Sequence, residues 1–349
     1  MSRLSVTIPS IGRTIDSWSG LQVIKAVDAG SDAFAFSVPF EPNEINKNTF
    51  VAYRPSRVEI RIDNELVITG RIESISASYT ASNKTIEIQG RSLSGSLMDW
   101  SAGPPFEWAN GTTFNDIARS IAKSVDGRFG PAESIRVSAI PNTQIPIASI
   151  ENPGQTVYEF LTSIASSQGL WAVPQADGSL VYRRLSSTRS PVADLEEGQA
   201  PLVSIQTVHD VTQRFYEYFV IQDADGNFSE AVEIDQGVDN RIRGRKIIRP
   251  SIEAWDLQEA ARHAKASGLI DSYQASATVT GWTHNGRIWN AGDIIRIYAP
   301  SAMIYSPSRF IIRRAVLQLD ENGGEVTNLE LALPELYDGK DPLERPWGI

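Results

Sequence analysis

Apolar and polar residues alternate through roughly the first hundred positions, the period of half-buried β-strands. Leu4/Val6/Ile8, Phe34/Phe36/Val38 and Val58/Ile60/Ile62 each stand between polar neighbours. Asp63-Asn64 separates Val58–Ile62 from Glu65–Ile72, which is turn chemistry between two strands. Ile86/Ile88 follow a polar tip at Ala81-Ser82-Asn83-Lys84. Short strands at this spacing predict a small barrel or sandwich.

The period then changes. Thr113-Phe114-Asn115-Asp116 opens a helix as a capping-box variant, with Phe114, Ile117, Ala118, Ile121, Ala122 and Val125 on one face and Gly127 as its stop. Thr156-Val157-Tyr158-Glu159 is a full capping box for a second helix, which carries Val157, Phe160, Leu161, Ile164 and Ala165 inward and ends at Gly169. A strand pair follows, Leu170–Val173 and Leu180–Arg183, around Ala176-Asp177-Gly178. Leu185–Pro201, rich in Ser, Pro and acidic residues, reads as a linker.

From Leu202 the pattern is again that of strands. Phe215–Ile221 enters a turn at Asp223-Ala224-Asp225-Gly226-Asn227, and one helix is expected between Ser251 and Gly268 on Ile252, Trp255, Ala260, Ala261 and Ala264. Ala275/Ala277/Val279, a hairpin turn at Asn285-Gly286, and strands Ile294–Tyr298, Phe310–Leu319 and Val326–Leu333 complete the chain. The last strands echo the first region: an alternating strand, a longer strand, a polar turn, then a final alternating strand. That shared order predicts two similar β-domains in one chain.

Composition narrows the function. The 349 residues are 41% hydrophobic and 21% charged, ordinary for a globular protein of two to three domains. Cysteine is absent, which excludes disulfides, thiolate metal sites and cysteine nucleophiles and fits a reducing cytoplasm. The N-terminus lacks the apolar run of a secretory signal, and no stretch is apolar enough to anchor the chain in a membrane. A net charge of −10 opposes adhesion to phosphate backbones.

Candidate chemistry is sparse. His209, His263 and His284 lie far apart, in no metal-ligand spacing. Gly90-Arg91-Ser92-Leu93-Ser94-Gly95 resembles a nucleophile elbow superficially, but Ser94 stands where GxSxG needs glycine, and a strand leaving a barrel accounts for it. Asp223–Asn227 begins like a calcium loop, yet glycine falls at its fourth position and Ile234 at its twelfth, so a hairpin turn is the better reading. Trp282 and Trp289 flank one hairpin and could stack on sugar rings, although strand tryptophans more often anchor cores or interfaces. Against the acidic balance stands one basic run, Arg241-Ile242-Arg243-Gly244-Arg245-Lys246. Its plain reading is a solvated loop, and its functional reading is a contact to an acidic partner.

Three segments in this order carry a resemblance. They are Val58–Gly70 with Ile86–Ser92, then Asn152–Leu161 leading to Gly169-Leu170 and Asp177-Gly178, then Val279-Thr280-Gly281-Trp282 with Trp289-Asn290-Ala291-Gly292-Asp293. Over nearly its whole length the sequence resembles the baseplate hub proteins of Mu-like contractile-tailed phages, relatives of late-control tail proteins and of type VI secretion spike hubs. The resemblance implies an α+β, mainly β, fold with two similar tube-type β-barrel domains plus an α/β domain. The boundaries expected are 1–98 for the first barrel, 99–185 for the α/β domain, 186–340 for the second barrel with a helical insertion at 251–268, and 341–349 for a tail.

It further implies a homotrimer joining a six-fold tail tube to a three-fold central spike, with other baseplate proteins as neighbours and DNA only in transit through a channel. The expected place is the virion tail baseplate, assembled in the host cytoplasm. No catalytic residue, cofactor or metal comes with the resemblance, so the chain is expected not to be an enzyme. Arg241, Arg243, Arg245 and Lys246 are the candidate subunit or partner contact. The alternatives are a secreted carbohydrate-active enzyme and a type VI secretion spike hub module.

Overall fold

The computed structural model describes residues 4–9, 12–15, 20–41, 56–81, 84–102, 107–126, 135–145, 148–150, 154–212, 214–224, 227–249, 257–319, 324–338, 346 and 348. The fold is mainly β. Its first region holds β1 (Leu4–Ile8), β2 (Gly20–Ala26), β3 (Ala33–Pro39), β4 (Arg57–Ile62), β5 (Glu65–Tyr79) and β6 (Lys84–Ser92). Burial alternates along β1, β3 and β4, so the period read from the sequence is the one that folds. Asp63 and Asn64 both adopt positive φ, 49° and 69°, and close the β4–β5 hairpin as a two-residue turn of the primed type.

The α/β unit has its own core. Helices α1 (Phe114–Asp126) and α2 (Val157–Ser166) pack on a three-stranded sheet of β7 (Val137–Ile140), β8 (Trp171–Pro174) and β9 (Leu180–Arg183). Phe114, Ile117, Ile121, Phe160, Leu161, Ile164, Leu180 and Tyr182 are buried there together. The capping box of α2 is complete: Glu159 N–H donates to Thr156 Oγ1 at 3.1 Å, and Thr156 N–H to the Glu159 carboxylate at 2.9 Å. Ala122 and Val125 side chains, and Gly127, lie outside the described residues.

The expected linker is not free chain. Within it β10 (Ala193–Glu196) pairs in parallel with β16 (Ile294–Ala299), and Leu195 is buried. After it come β11 (Leu202–His209), β15 (Tyr273–Thr280), β17 (Ile304–Leu319) and β18 (Glu325–Ala332). Between β11 and β15, which pair directly, the chain makes an excursion larger than the expected helix. It contains a sheet of β12 (Glu217–Ala224), β13 (Asn227–Ile234) and β14 (Arg245–Ile248), covered by helix α3 (Leu257–Ser272). The helix does not end at Gly268: that glycine is buried inside it, and apolar Leu269 and Ile270 carry the helix on to Ser272. Ile252 and Trp255 lie outside the described residues.

The two β-regions repeat one pattern. Pairing runs β1-β4-β5-β6-β3-β2 in the first and β10-β16-β17-β18-β15-β11 in the second, the same order when strands are counted along each region. The register repeats as well. In β5 the ladder to β6 skips Glu73, and in β17 the ladder to β18 skips Arg313. Both hairpins leading into these strands are irregular at matching places, after Ile60 and after Ile297. One difference is direction: β1 is antiparallel to β4, whereas β10 is parallel to β16.

Strand β2 then pairs with β17 through Gln22↔Gln318 to Ala26↔Arg314, so both regions form one sheet over one continuous core. Among the described residues that sheet is open, ending at β11, at β10 and at the short strand Arg13–Ile15, and neither region closes on itself. The pair of separate small barrels expected from strand spacing is therefore not what these strands form, because β17 is long enough to hold β16 with its first half and β2 with its second.

Candidate functional site

The surface features that stand out are edges and faces rather than clefts. Among the described residues strand β11 pairs with β15 only, and its Leu202–Val208 stretch carries no charge. Val203 and Val208 are exposed along it, and Val211 just past its end. The second half of β5, Ser74–Tyr79, pairs among the described residues only with β6 and ends on Tyr79, which is 76% exposed. Long unpaired edges of this kind invite strand addition, and natural monomers usually blunt them with charge, proline or a cover. Among the described residues no further strand covers either edge.

The excursion between β11 and β15 presents the basic run. Arg241 binds Asp239 at 2.7 Å, Arg245 binds Glu217 through Nε at 2.6 Å and lies 4.7 Å over the Phe219 ring, and Arg243 donates to the Thr212 carbonyl. Lys246 sits 5.8 Å from the Phe215 ring centre. The structure thus spreads the run around the end and edge of a small sheet, each arginine already tied to its own chain. Beside it Ile242 and Ile247 are exposed, which no sequence reading singled out.

The candidate chemistry disperses. His263 lies on α3 with its ring stacked 4.2 Å from Trp171, and burial pulls its imidazole down to about 4. His284 packs at 4.3 Å from Trp289, and His209 at 4.8 Å from Tyr273. No group of metal-ligating side chains occurs among the described residues. Residues 225–226 of the calcium-like turn lie outside the description, but Ala224↔Asn227 pairing makes the segment a hairpin. Trp282 and Trp289 are both buried, Trp282 donating to the Gln318 carbonyl at 3.0 Å, so they form no sugar platform and lend no support to a carbohydrate-active enzyme.

Gly90–Gly95 does run from strand into a 3₁₀ turn and a short helix. Ser94 is nevertheless fully buried, and its hydroxyl shares a hydrogen bond of 2.9 Å with Ser92 Oγ, another hydroxyl and not a base. Ser92 in turn bonds Ser31 Oγ and the Asp32 N–H. Asp32 is the centre of a buried ion pair with Lys25 at 3.1 Å, and Lys25 also donates to the Val67 carbonyl at 3.0 Å. Burial pushes the Asp32 carboxyl up while Lys25 and the Ala26 N–H pull it down. This pair fixes the loop between β2 and β3, and its role is architectural.

Comparison with known proteins agrees with a surface built for assembly. Residues 5–92 match the family model of the Mu phage baseplate assembly protein GpP-like N-terminal domain, and residues 94–184 match the second domain of baseplate hub protein gp44-like chains. Baseplate hub protein gp44 of Escherichia phage Mu is 26% identical, over 94% of this chain and 87% of that protein. The tail protein from Neisseria meningitidis MC58 superposes with a TM-score of 0.81 at 23% identity, covering 97% of this chain and 98% of that one. The 43 kDa tail protein of prophage MuSo2 from Shewanella oneidensis gives 0.76 at 20% identity, covering 96% and 99%. At those identities the two structures speak for the fold alone. The relatives are baseplate hub and tail proteins, not enzymes, and this chain belongs to the family of Mu-like baseplate hub proteins.

Proposed function

We propose that the chain is a homotrimeric ring at the centre of a contractile phage-tail baseplate, joining a six-fold tail tube to a three-fold central spike. The observation that carries this reading is the repeat: two β-regions of one chain share strand order and register. Each is read as a tube-type domain, so three chains supply six similar modules around one axis. Partners on this reading are the tube protein, the spike protein and other baseplate proteins, in a virion assembled in the host cytoplasm.

A channel for DNA follows from ring closure. The solvent face of the shared sheet suits such a wall, because it is rich in uncharged polar groups and its charges are paired: Gln22 meets Gln318, Thr278 meets Asn328, and Gln206 and Ser276 lie in the row of the Arg314–Glu330 ion pair. With net charge −10 behind it, such a face lets a phosphate backbone pass without holding it. Arg241, Arg243, Arg245 and Lys246 are assigned to a subunit or partner contact, with the exposed Ile242 and Ile247 beside them. The test is the mass of the purified chain in solution by light scattering across a wide concentration range. Three times 38.3 kDa is expected, and a monomer at every concentration overturns the reading.

A further inference from the structure

The repeat within the chain comes with a contact between its two halves, and that contact has an unused counterpart. In the seam, the second strand of the first region (β2) pairs with the outer half of the fifth strand of the second region (β17). The equivalent surfaces are β11, the second strand of the second region, and the outer half of β5, the fifth strand of the first. Among the described residues both are unpaired on the corresponding side.

We propose that β11 of one copy pairs with the outer half of β5 of the next, antiparallel, repeating between chains the β2–β17 seam found within each chain. The occupant of both edges is a second copy of this chain. The assignment rests on the homotrimer proposed above and gives it a mechanism of closure. Every module then meets its neighbour through the same strand pairing, alternately within and between chains, and no edge of either kind is left over.

The register follows from the ladders. The bulges align Glu73 with Arg313, and therefore Ser74 with Arg314 and Ser78 with Gln318. Pairing of β11 to β15 and of β2 to β3 aligns Gln206 with Gln22 and Val208 with Ile24, since β15 and β3 take equivalent places beside β18 and β6. Copying Gln22↔Gln318 and Ile24↔Val316 gives Gln206↔Ser78 and Val208↔Ser76 between chains. The same alignment explains two exposed apolar residues. Val208 is 43% exposed where its counterpart Ile24 is half-buried, and Tyr79 is exposed where its counterpart Leu319 packs against the core.

The natural absence of cysteine makes the pairing directly testable. A full-length Gln206→Cys/Ser78→Cys variant is oxidised and run on a denaturing, non-reducing gel, beside each single variant. A Gln22→Cys/Gln318→Cys variant, whose amides meet at 3.4 Å in the seam, confirms that oxidation closes a bond at the internal site. Cross-linked dimer and trimer in the Gln206/Ser78 variant, with none in either single variant, is the expected result. A chain that is trimeric by mass but yields no cross-link, while the internal control closes, overturns this pairing and leaves the hub reading standing. Cross-linked dimer in the Gln206→Cys single variant means like edges meet, which also overturns it. A monomer by mass at all concentrations overturns the trimer and the pairing together.

Discussion

Glu73 and Arg313 hold the same place in two copies of one strand pattern: each is the residue that its ladder skips, between Ile72 and Ser74 in β5 and between Ile312 and Arg314 in β17. Beyond each bulge the strand goes on pairing with β6 or β18, while pairing on its other side with β4 or β16 has ended, so that side of its outer half can take another strand. In β17 that strand is β2.

A first prediction uses this bulge. Because side chains alternate, removing one residue flips every later one to the other face. Deleting Val316, a paired residue just past the bulge, would turn buried Leu317 outward and Gln318 inward, whereas loss of the skipped Arg313 would leave those faces in place. Loss of soluble, folded protein is expected for the Val316 deletion, whereas Arg313→Ala, which keeps the bulge and loses an exposed 3.3 Å ion pair to Asp271 and an attraction to Asp28, should cost about 1 kcal/mol. Chemical denaturation of both variants checks it.

Gly90 supplies the second. A Cβ there would fall 1.9 Å from the Arg71 carbonyl oxygen and 2.5 Å from the Phe34 ring, and one at Gly70 would fall 2.2 Å from the Arg91 carbonyl oxygen. The two glycines make a notch between β5 and β6 that the Phe34 ring fills. Backbone cannot yield as a flexible side chain can, so Gly90→Ala should destabilise by ~3 kcal/mol or more. A thermal melt unchanged from the parent would contradict the close approach.

Local signals were the legible part of this fold. Asp63-Asn64 and Asn285-Gly286 make their turns with positive φ, and the Thr156/Glu159 box caps its helix, because each is decided within a few residues. Strand β2 escaped notice because its alternation Leu21/Val23 continues to Lys25, a buried cation that reads as an outward one. Only the folded chain brings Asp32 and the Val67 carbonyl to it. Missing β2 also hid the seam, and with it the free edge of β11. In the sequence β14 looks like a basic loop, since Arg245 and Lys246 read as solvated until the fold places Glu217 and the rings of Phe219 and Phe215 beside them.

The Lys25–Asp32 pair gives a third prediction. Truncating one partner leaves the other charge buried with nothing to balance it, which costs more than the pair itself is worth. Lys25→Met should therefore destabilise by about 3–5 kcal/mol. Lys25→Met with Asp32→Asn should recover a large part, because the residual amide is neutral. If the double variant is as unstable as the single one in urea, the loss comes from packing and not from the stranded carboxylate.

The last prediction is a pH dependence with a defined direction. The His263 imidazole lies between α3 and Trp171, whose indole N–H is fixed on the Tyr337 carbonyl at 3.1 Å. Burial makes its charged form unfavourable, so it titrates at about 4 in the folded chain against an ordinary value of 6.5. The unfolded chain then binds the proton first. Stability is full above pH 6.5, falls as the unfolded histidine protonates below it, and stops falling from this source near pH 4, where the folded form protonates too. Carboxylates such as Asp177, held low by Ser179 and Arg136, add their own loss at more acid pH. Replacing the ring by one that cannot ionise, His263→Phe, should flatten the stability profile between pH 6.5 and 4 while keeping the stack on Trp171. Urea midpoints measured at half-unit steps test this: parallel profiles for the parent and His263→Phe would show that the imidazole is solvated and that its burial is not what sets its charge.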